Sequence, residues 1–121
     1  MKHINVLTAE TFSTGRFEEI YDRLCDDVVW TIAGESTFRG KAEVVRNCRS
    51  VSDYFRTVDT EFKILGTVHA NGKVVVQGTA EFLRAGKRIA FVHACDVYEF
   101  NENDNLSSIT SYCIQERTNG T

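Results

Sequence analysis

A bent antiparallel sheet wrapped on two or three N-terminal helices, an α+β domain, is the fold class this sequence predicts, and three observations carry that reading. Helical spacing is confined to the N-terminal part, where Phe17, Ile20, Tyr21 and Leu24 recur at i, i+3, i+4 and i+7. The chain beyond residue 58 is almost continuously rich in β-formers, in stretches of roughly 59–69, 73–83, 87–100 and 106–116. The first three of these are joined by Ala70-Asn71-Gly72 and Arg84-Ala85-Gly86, short enough only for hairpins.

Taken in order, residues 1–7 carry little signal, and Thr8 to Ser13 suffice for about two helical turns before Thr14-Gly15 interrupts them. The amphipathic segment from Phe17 ends at Cys25-Asp26-Asp27, and Val28 to Ile32 form a short strand closed by Ala33-Gly34. Gly40 can cap a further helix with Glu43 in its first turn. In that helix Val44, Cys48, Val51 and Phe55 form one stripe, Arg46, Arg49, Asp53 and Arg56 lie away from it, and Asn47 and Tyr54 share one edge.

Glycine as the third connector residue predicts three-residue loops, a type I turn closed by a left-handed Gly. Such a loop sets even-numbered residues opposite even-numbered ones. One face then collects Phe62, Ile64, Val68, Val74, Val76, Ala80, Phe82, Val92, Ala94, Asp96 and Tyr98, while Glu61, Lys63, Glu81 and His93 fall on the other. A two-residue turn would mix apolar and charged residues on each face and forfeit burial. Gly66 and Gly78 fall mid-strand on the helix-facing side, where a bulge or bend is expected. For the last strand, Ile109, Ser111 and Cys113 or Leu106, Tyr112 and Ile114 are equally plausible inner sets. Strands this long must curve, and a curved sheet wrapped on helices leaves a hollow.

The 121 residues make one domain, 1–121, with 42% hydrophobic and 26% charged residues, ordinary for a globular protein. A net charge of -3 with scattered Lys and Arg argues against nucleic acid and anionic membranes as partners. No apolar run approaches a spanning length and Met1-Lys2-His3 leads into no signal-like core, so a cytoplasmic location is expected. Cysteines 25, 48, 95 and 113 form no Cys-x-x-Cys pair and read as small buried hydrophobes in a reducing compartment. The three histidines are dispersed: His3 in a tail, His69 beside a hairpin and His93 on the outer face, so no metal centre is indicated.

The long strand Arg88 to Phe100 is apolar on both faces, which places it centrally, covered by helices on one side and by a second subunit on the other. Ile89, Phe91 and Val97 on the outer side point to a homodimer. Asp96 is the exception on the inner face, a carboxylate among alanines, valine and tyrosine. Burial there disfavours its charged form, so it can be neutral at pH 7 and serve as hydrogen-bond donor, acid or base. The bland alternative is that it pairs with Asn47, Tyr54 or another donor and only fixes the strand.

The order of helices, short strand, helix and long bent meander resembles the cone-shaped, cystatin-like α+β roll of the nuclear transport factor 2-like superfamily. Gly15-Arg16-Phe17, Leu24-Cys25-Asp26-Asp27-Val28-Val29-Trp30, Gly34 and Phe38-Arg39-Gly40-Lys41-Ala42-Glu43-Val44 resemble its polyketide-cyclase-like (SnoaL-like) and ketosteroid-isomerase-like branches. The resemblance implies a role for Asp96, which matches the late-strand aspartate that ketosteroid isomerases use as a protonated donor. The general base of those enzymes falls at Ile32 and their tyrosine donor near Thr8, so steroid-type proton transfer is not implied.

The function expected is binding of a small hydrophobic molecule in the cone, with acid or base chemistry of isomerase, cyclase or dehydratase type at Asp96. Trp30, Ile32, Asn47, Tyr54, Phe82 and Tyr98 would line the site, and no cofactor is implied. The rival is a non-catalytic assembly or ligand-binding module, dimeric through the sheet, with its hollow filled or vestigial.

Overall fold

The computed structural model describes residues 2–117. Helix α1 (Ile4–Ser13) is followed by a 3-10 helix (Phe17–Arg23), β1 (Leu24–Ile32), β2 (Ser36–Arg39), α2 (Lys41–Phe55), β3 (Asp59–Ala70), β4 (Lys73–Arg84), β5 (Lys87–Phe100) and β6 (Leu106–Gln115). The six strands form one sheet in the order β2-β1-β6-β5-β4-β3, with β1 parallel to β6 and every other pair antiparallel. The helices cover one face of this sheet, giving the α+β cone expected. No helix among the described residues is long and apolar enough to cross a membrane.

Helix α1 starts four residues before the expected Thr8, because His3 caps it: its Nδ1 accepts a hydrogen bond from the Asn5 amide at 3.0 Å. It ends as expected at Thr14-Gly15. The Gly15 amide donates to the Phe12 carbonyl and the Arg16 amide to the Thr11 carbonyl, a Schellman motif that needs the left-handed conformation of Gly15 (φ 83°). An added Cβ at Gly15 would also press on Phe62 and Phe55, so this turn seats the end of α1 against the aromatic side of the interior.

The segment expected as an amphipathic helix from Phe17 is a shorter 3-10 helix, and β1 begins at Leu24 rather than Val28. Leu24 joins the sheet because it pairs with Leu106 of β6, a long-range partner that local periodicity cannot signal. Strand β2, four residues at the sheet edge, was not anticipated for the same reason. Helix α2 matches its reading: Gly40 caps it, Val44 and Cys48 are buried, and Glu43 reaches back to accept from the Arg39 amide at 3.0 Å.

The hairpin loops differ from expectation. Ala70 pairs with Lys73 and Arg84 with Lys87, so each turn has two central residues, and Asn71, Gly72, Ala85 and Gly86 all have positive φ, the type I′ form. The even-to-even register nevertheless holds along most of each hairpin, because a bulge supplies the odd residue: Leu65 between Ile64 and Gly66, and Ile89 between Arg88 and Ala90. Between turn and bulge the parity is reversed. Val68, expected inside, is therefore 64% exposed, and Thr67 takes the inner place opposite Val76. Gly66 likewise turns outward beside the exposed Gln77, whereas Gly78 stays inside, where a Cβ would lie 2.5 Å from the Lys63 carbonyl oxygen.

On β6, Ile109, Ser111 and Cys113 face inward, with Tyr112 (49% exposed) and Ile114 (70% exposed) outward. Leu106 is also buried, since a further bulge at Ser107 shifts the register.

Candidate functional site

Three rows cross the inner face of the sheet. The first, Ile109 beside Tyr98 and Val74, is fully buried and backed by Val28, Val44 and Cys48 from the other elements. The next is Ser111, Asp96 and Val76, and beyond it lie Cys113, Ala94 and Gly78. Past Asp96 the row Cys113, Ala94 and Gly78 is too small to reach the helices, and a cavity of about 280 Å³ opens before Phe62 and Phe82 meet Phe55 of α2. Its floor holds Phe12, Phe17 and Trp30; its sides are Ile32, Val51, Phe55, Phe62, Ile64, Ala80, Phe82 and Val92. The Phe55 ring lies 5.4 Å from Phe62 and 5.7 Å from Phe82, centroid to centroid, so three aromatics close one side.

Asp96 lies in this wall with 9% of its surface exposed. Its Oδ2 accepts from Ser13 Oγ at 2.8 Å and lies 3.5 Å from the Tyr98 hydroxyl, while Ser13 Oγ and Tyr98 OH are 2.5 Å apart. Ser111 lies directly across the β5–β6 ladder from Asp96, and its Oγ accepts from Trp30 Nε1 at 3.0 Å. Burial raises the Asp96 pKa above the ordinary carboxylate range, partly opposed by the Ser111, Ser13 and Tyr98 hydrogen bonds. Burial and the neighbouring Asp96 also hold the Tyr98 hydroxyl well above its usual range, so it remains a neutral phenol. Partial desolvation and the Asp96 charge push the Cys113 thiol up to about 11, which leaves it protonated and poorly nucleophilic. No Lys, Arg or His among the described residues forms an ion pair with Asp96.

Asp96, Trp30, Ile32 and Phe82 thus come together around the cavity. Tyr98 touches Asp96 but is fully buried below the cavity rather than lining it. Asn47 and Tyr54 do not join: Asn47 flanks the buried stripe of α2 with its Nδ2 unpartnered, and Tyr54, 47% exposed, meets Phe82 at a tilt with ring centroids 6.1 Å apart and stays out of the lining. Neither supplies the partner for Asp96. That part is taken by Ser13 and Ser111, which were not singled out as partners. Ser13 follows Ala9 by one helical repeat, and Ala9 is buried, so helical spacing does carry the signal. His93 is on the outer face, 3.0 Å from Glu116. Among the described residues no group of three or more His, Cys, Asp or Glu could hold a metal ion.

A bent sheet closed on helices, with an apolar interior cavity and one carboxyl in its wall, defines the nuclear transport factor 2-like class of cone folds. Within it, this chain belongs to the SnoaL-like domain family, whose model matches residues 7–109. An NTF2-like protein of unknown function from Cytophaga hutchinsonii is 33% identical, with 89% of this chain and 94% of that one covered at a TM-score of 0.80. An LEH-like epoxide hydrolase of M. tuberculosis is 20% identical (91% and 82% covered, TM-score 0.69). A candidate isomerase of the SnoaL-like family from Agrobacterium tumefaciens is 13% identical (93% and 99% covered, TM-score 0.67). These last two show likeness of fold alone. A search of curated protein sequences gives no match.

Proposed function

We propose that this protein binds a small, neutral, largely apolar molecule in the cone and transfers a proton to or from it at Asp96. One observation carries the reading: the cavity wall is mostly apolar, and the carboxyl set into it is desolvated and has no cationic partner among the described residues. A ligand bearing a carboxylate or phosphate at this corner would face Asp96 itself, since Lys63, the cation among the described lining residues, forms no ion pair with that carboxyl. A carboxyl whose pKa is raised is suited to both giving and taking a proton near neutral pH. Epoxide hydrolysis, the activity named for one similar fold, is a reaction of a neutral functional group that a carboxyl of this kind can assist.

The outer sheet face supports a homodimer. Tyr112 and Ile114 stand exposed there beside Cys95 and His93, with Phe91 and Val97 only half-buried in one chain. The four thiols are unpaired, which suits a reducing cytoplasm. The assembly reading gains nothing from a filled interior, because the interior is open.

The test is native mass spectrometry for a co-purified molecule, followed by a panel of neutral ketones, enones and epoxides against wild type and Asp96→Asn. A bound molecule whose conversion disappears in Asp96→Asn, with the fold retained, is the expected result. A panel that neither binds nor reacts would sink the reading. Light scattering of Phe91→Glu tests the dimer, which should dissociate.

A further inference from the structure

The polar atoms around Asp96 form one line of hydrogen bonds whose direction is fixed from both ends. An indole N–H donates and never accepts, so the Trp30 contact makes Ser111 Oγ an acceptor at 3.0 Å. The Ser111 proton is then free for Asp96, its partner directly across the β5–β6 ladder. At the other end Tyr98 is fully buried, and its hydroxyl meets Ser13 Oγ at 2.5 Å and Asp96 Oδ2 at 3.5 Å. A buried hydroxyl proton without a good acceptor is costly. Tyr98 therefore donates across the short contact to Ser13, and Ser13 donates on to Asp96 Oδ2 at 2.8 Å. Two hydroxyl donors thus stand on the wall side of the carboxyl, Ser13 bonded to it and Ser111 beside it across the ladder. A proton taken up by Asp96 has to sit on a lone pair that neither serine covers, and the remaining open side is the cavity.

We propose that Ser13 and Ser111 are positioning residues: oriented by Tyr98 and Trp30, they occupy the wall-side lone pairs of Asp96 and turn its exchangeable proton into the cavity, toward a neutral acceptor such as a carbonyl or ether oxygen. The inference rests on the proposed role of Asp96 and adds the device that aims it. The titratable groups facing the carboxyl are few. Tyr98 lies on its own strand and Cys113 on β6, and β3 brings Lys63 to the cavity lining. From α1 comes the Ser13 hydroxyl, from β1 the Trp30 indole, and from α2 Val51 and Phe55, none of them charged.

The experiment reads Asp96 directly, by carbon-13 NMR of its carboxyl across pH in protein free of added ligand. Cyclohexanone binding is followed in parallel. Ser13→Ala and Ser111→Ala each remove a donor to the carboxylate, so the Asp96 midpoint should rise by about 1 pH unit in either variant, and Ser13→Thr should restore it. A serine that merely packs the wall would lower the melting temperature and leave the midpoint in place. Unmoved midpoints in folded variants overturn the inference, even if wild type binds the ketone. Raised midpoints support it even if the ketone fails to bind, and it is then the functional reading that falls. Should the alanine variants not fold, Tyr98→Phe keeps the ring in the core and removes the donor to Ser13. It should raise the midpoint by a smaller amount, and no rise overturns the inference.

Discussion

At the end of the sheet next to the Asn71-Gly72 turn, the inner face carries Val74, Tyr98, Phe100, Leu106 and Ile109, all buried. Toward Ala85-Gly86 it carries Gly78, Ala80, Ala90 and Ala94, with Phe62 and Phe82 at the rim meeting Phe55 of α2. Both ends are apolar, so polarity does not distinguish them. Side-chain volume does. Large residues fill the gap between sheet and helices at one end, and small ones leave it open beyond Asp96 until Phe62 and Phe82 reach Phe55. Asp96 sits on the boundary, desolvated by the filled end and accessible from the hollow one. That position explains how a carboxyl can be both perturbed and reachable. The turns differ in the same sense: Asn71 suits its left-handed conformation, whereas Ala85 is held at φ 53° at a steric cost.

The sharpest way to break the contrast is to hollow out the filled end. Ile109→Ala should lose about 3 kcal/mol in urea denaturation, as expected for truncating a fully buried side chain between other large ones. Ala94→Leu does the reverse. Filling space that is already empty should change stability by less than about 1.5 kcal/mol in the same assay, yet calorimetry should show ligand binding lost.

The boundary itself is tested by pH. Burial makes folded Asp96 hold its proton more tightly than the unfolded chain does, so the folded state loses stability as pH rises from the ordinary carboxylate range through the raised midpoint. Asp96→Asn removes that slope. Its stability relative to wild type should climb with pH over this window and level off above it, in parallel denaturation series. A flat difference would mean that the carboxyl is not desolvated. The smallest effect is expected at the hollow end's turn, where Ala85→Asn should add about 0.5–1 kcal/mol by relieving the positive φ.

Much of the fold was legible because it rests on repeating patterns. The stripe of α2, the Thr14-Gly15 stop and the alternation of β1, β4 and β5 all follow from local spacing; alternation in β1 turns Trp30 and Ile32 toward the interior, and alternation in β4 and β5 does so for Phe82 and Asp96. What was not legible depends on partners distant in the chain. Leu24 enters β1 through Leu106, and β2 exists only as an edge on β1. Val68 falls outside the parity reading, which runs unbroken to the turn although Gly66 marks the bulge at Leu65 that reverses it. Asn47 and Tyr54 sit at the edge of a helical stripe, where spacing alone does not say which edge faces the cavity. Ser13 and Ser111 went unnoticed as partners because a small hydroxyl stands out only once its neighbours are known.

The bulges at Leu65 and Ile89 have a consequence for how this scaffold can change. Each offsets a turn that is one residue shorter than the register of the strands beyond it requires. Moving the extra residue from strand to hairpin tip would leave the same side chains facing the ligand space. Hairpin length and cavity lining are thus separable, and proteins built on this plan can gain or lose a residue at the rim while preserving the chemistry inside.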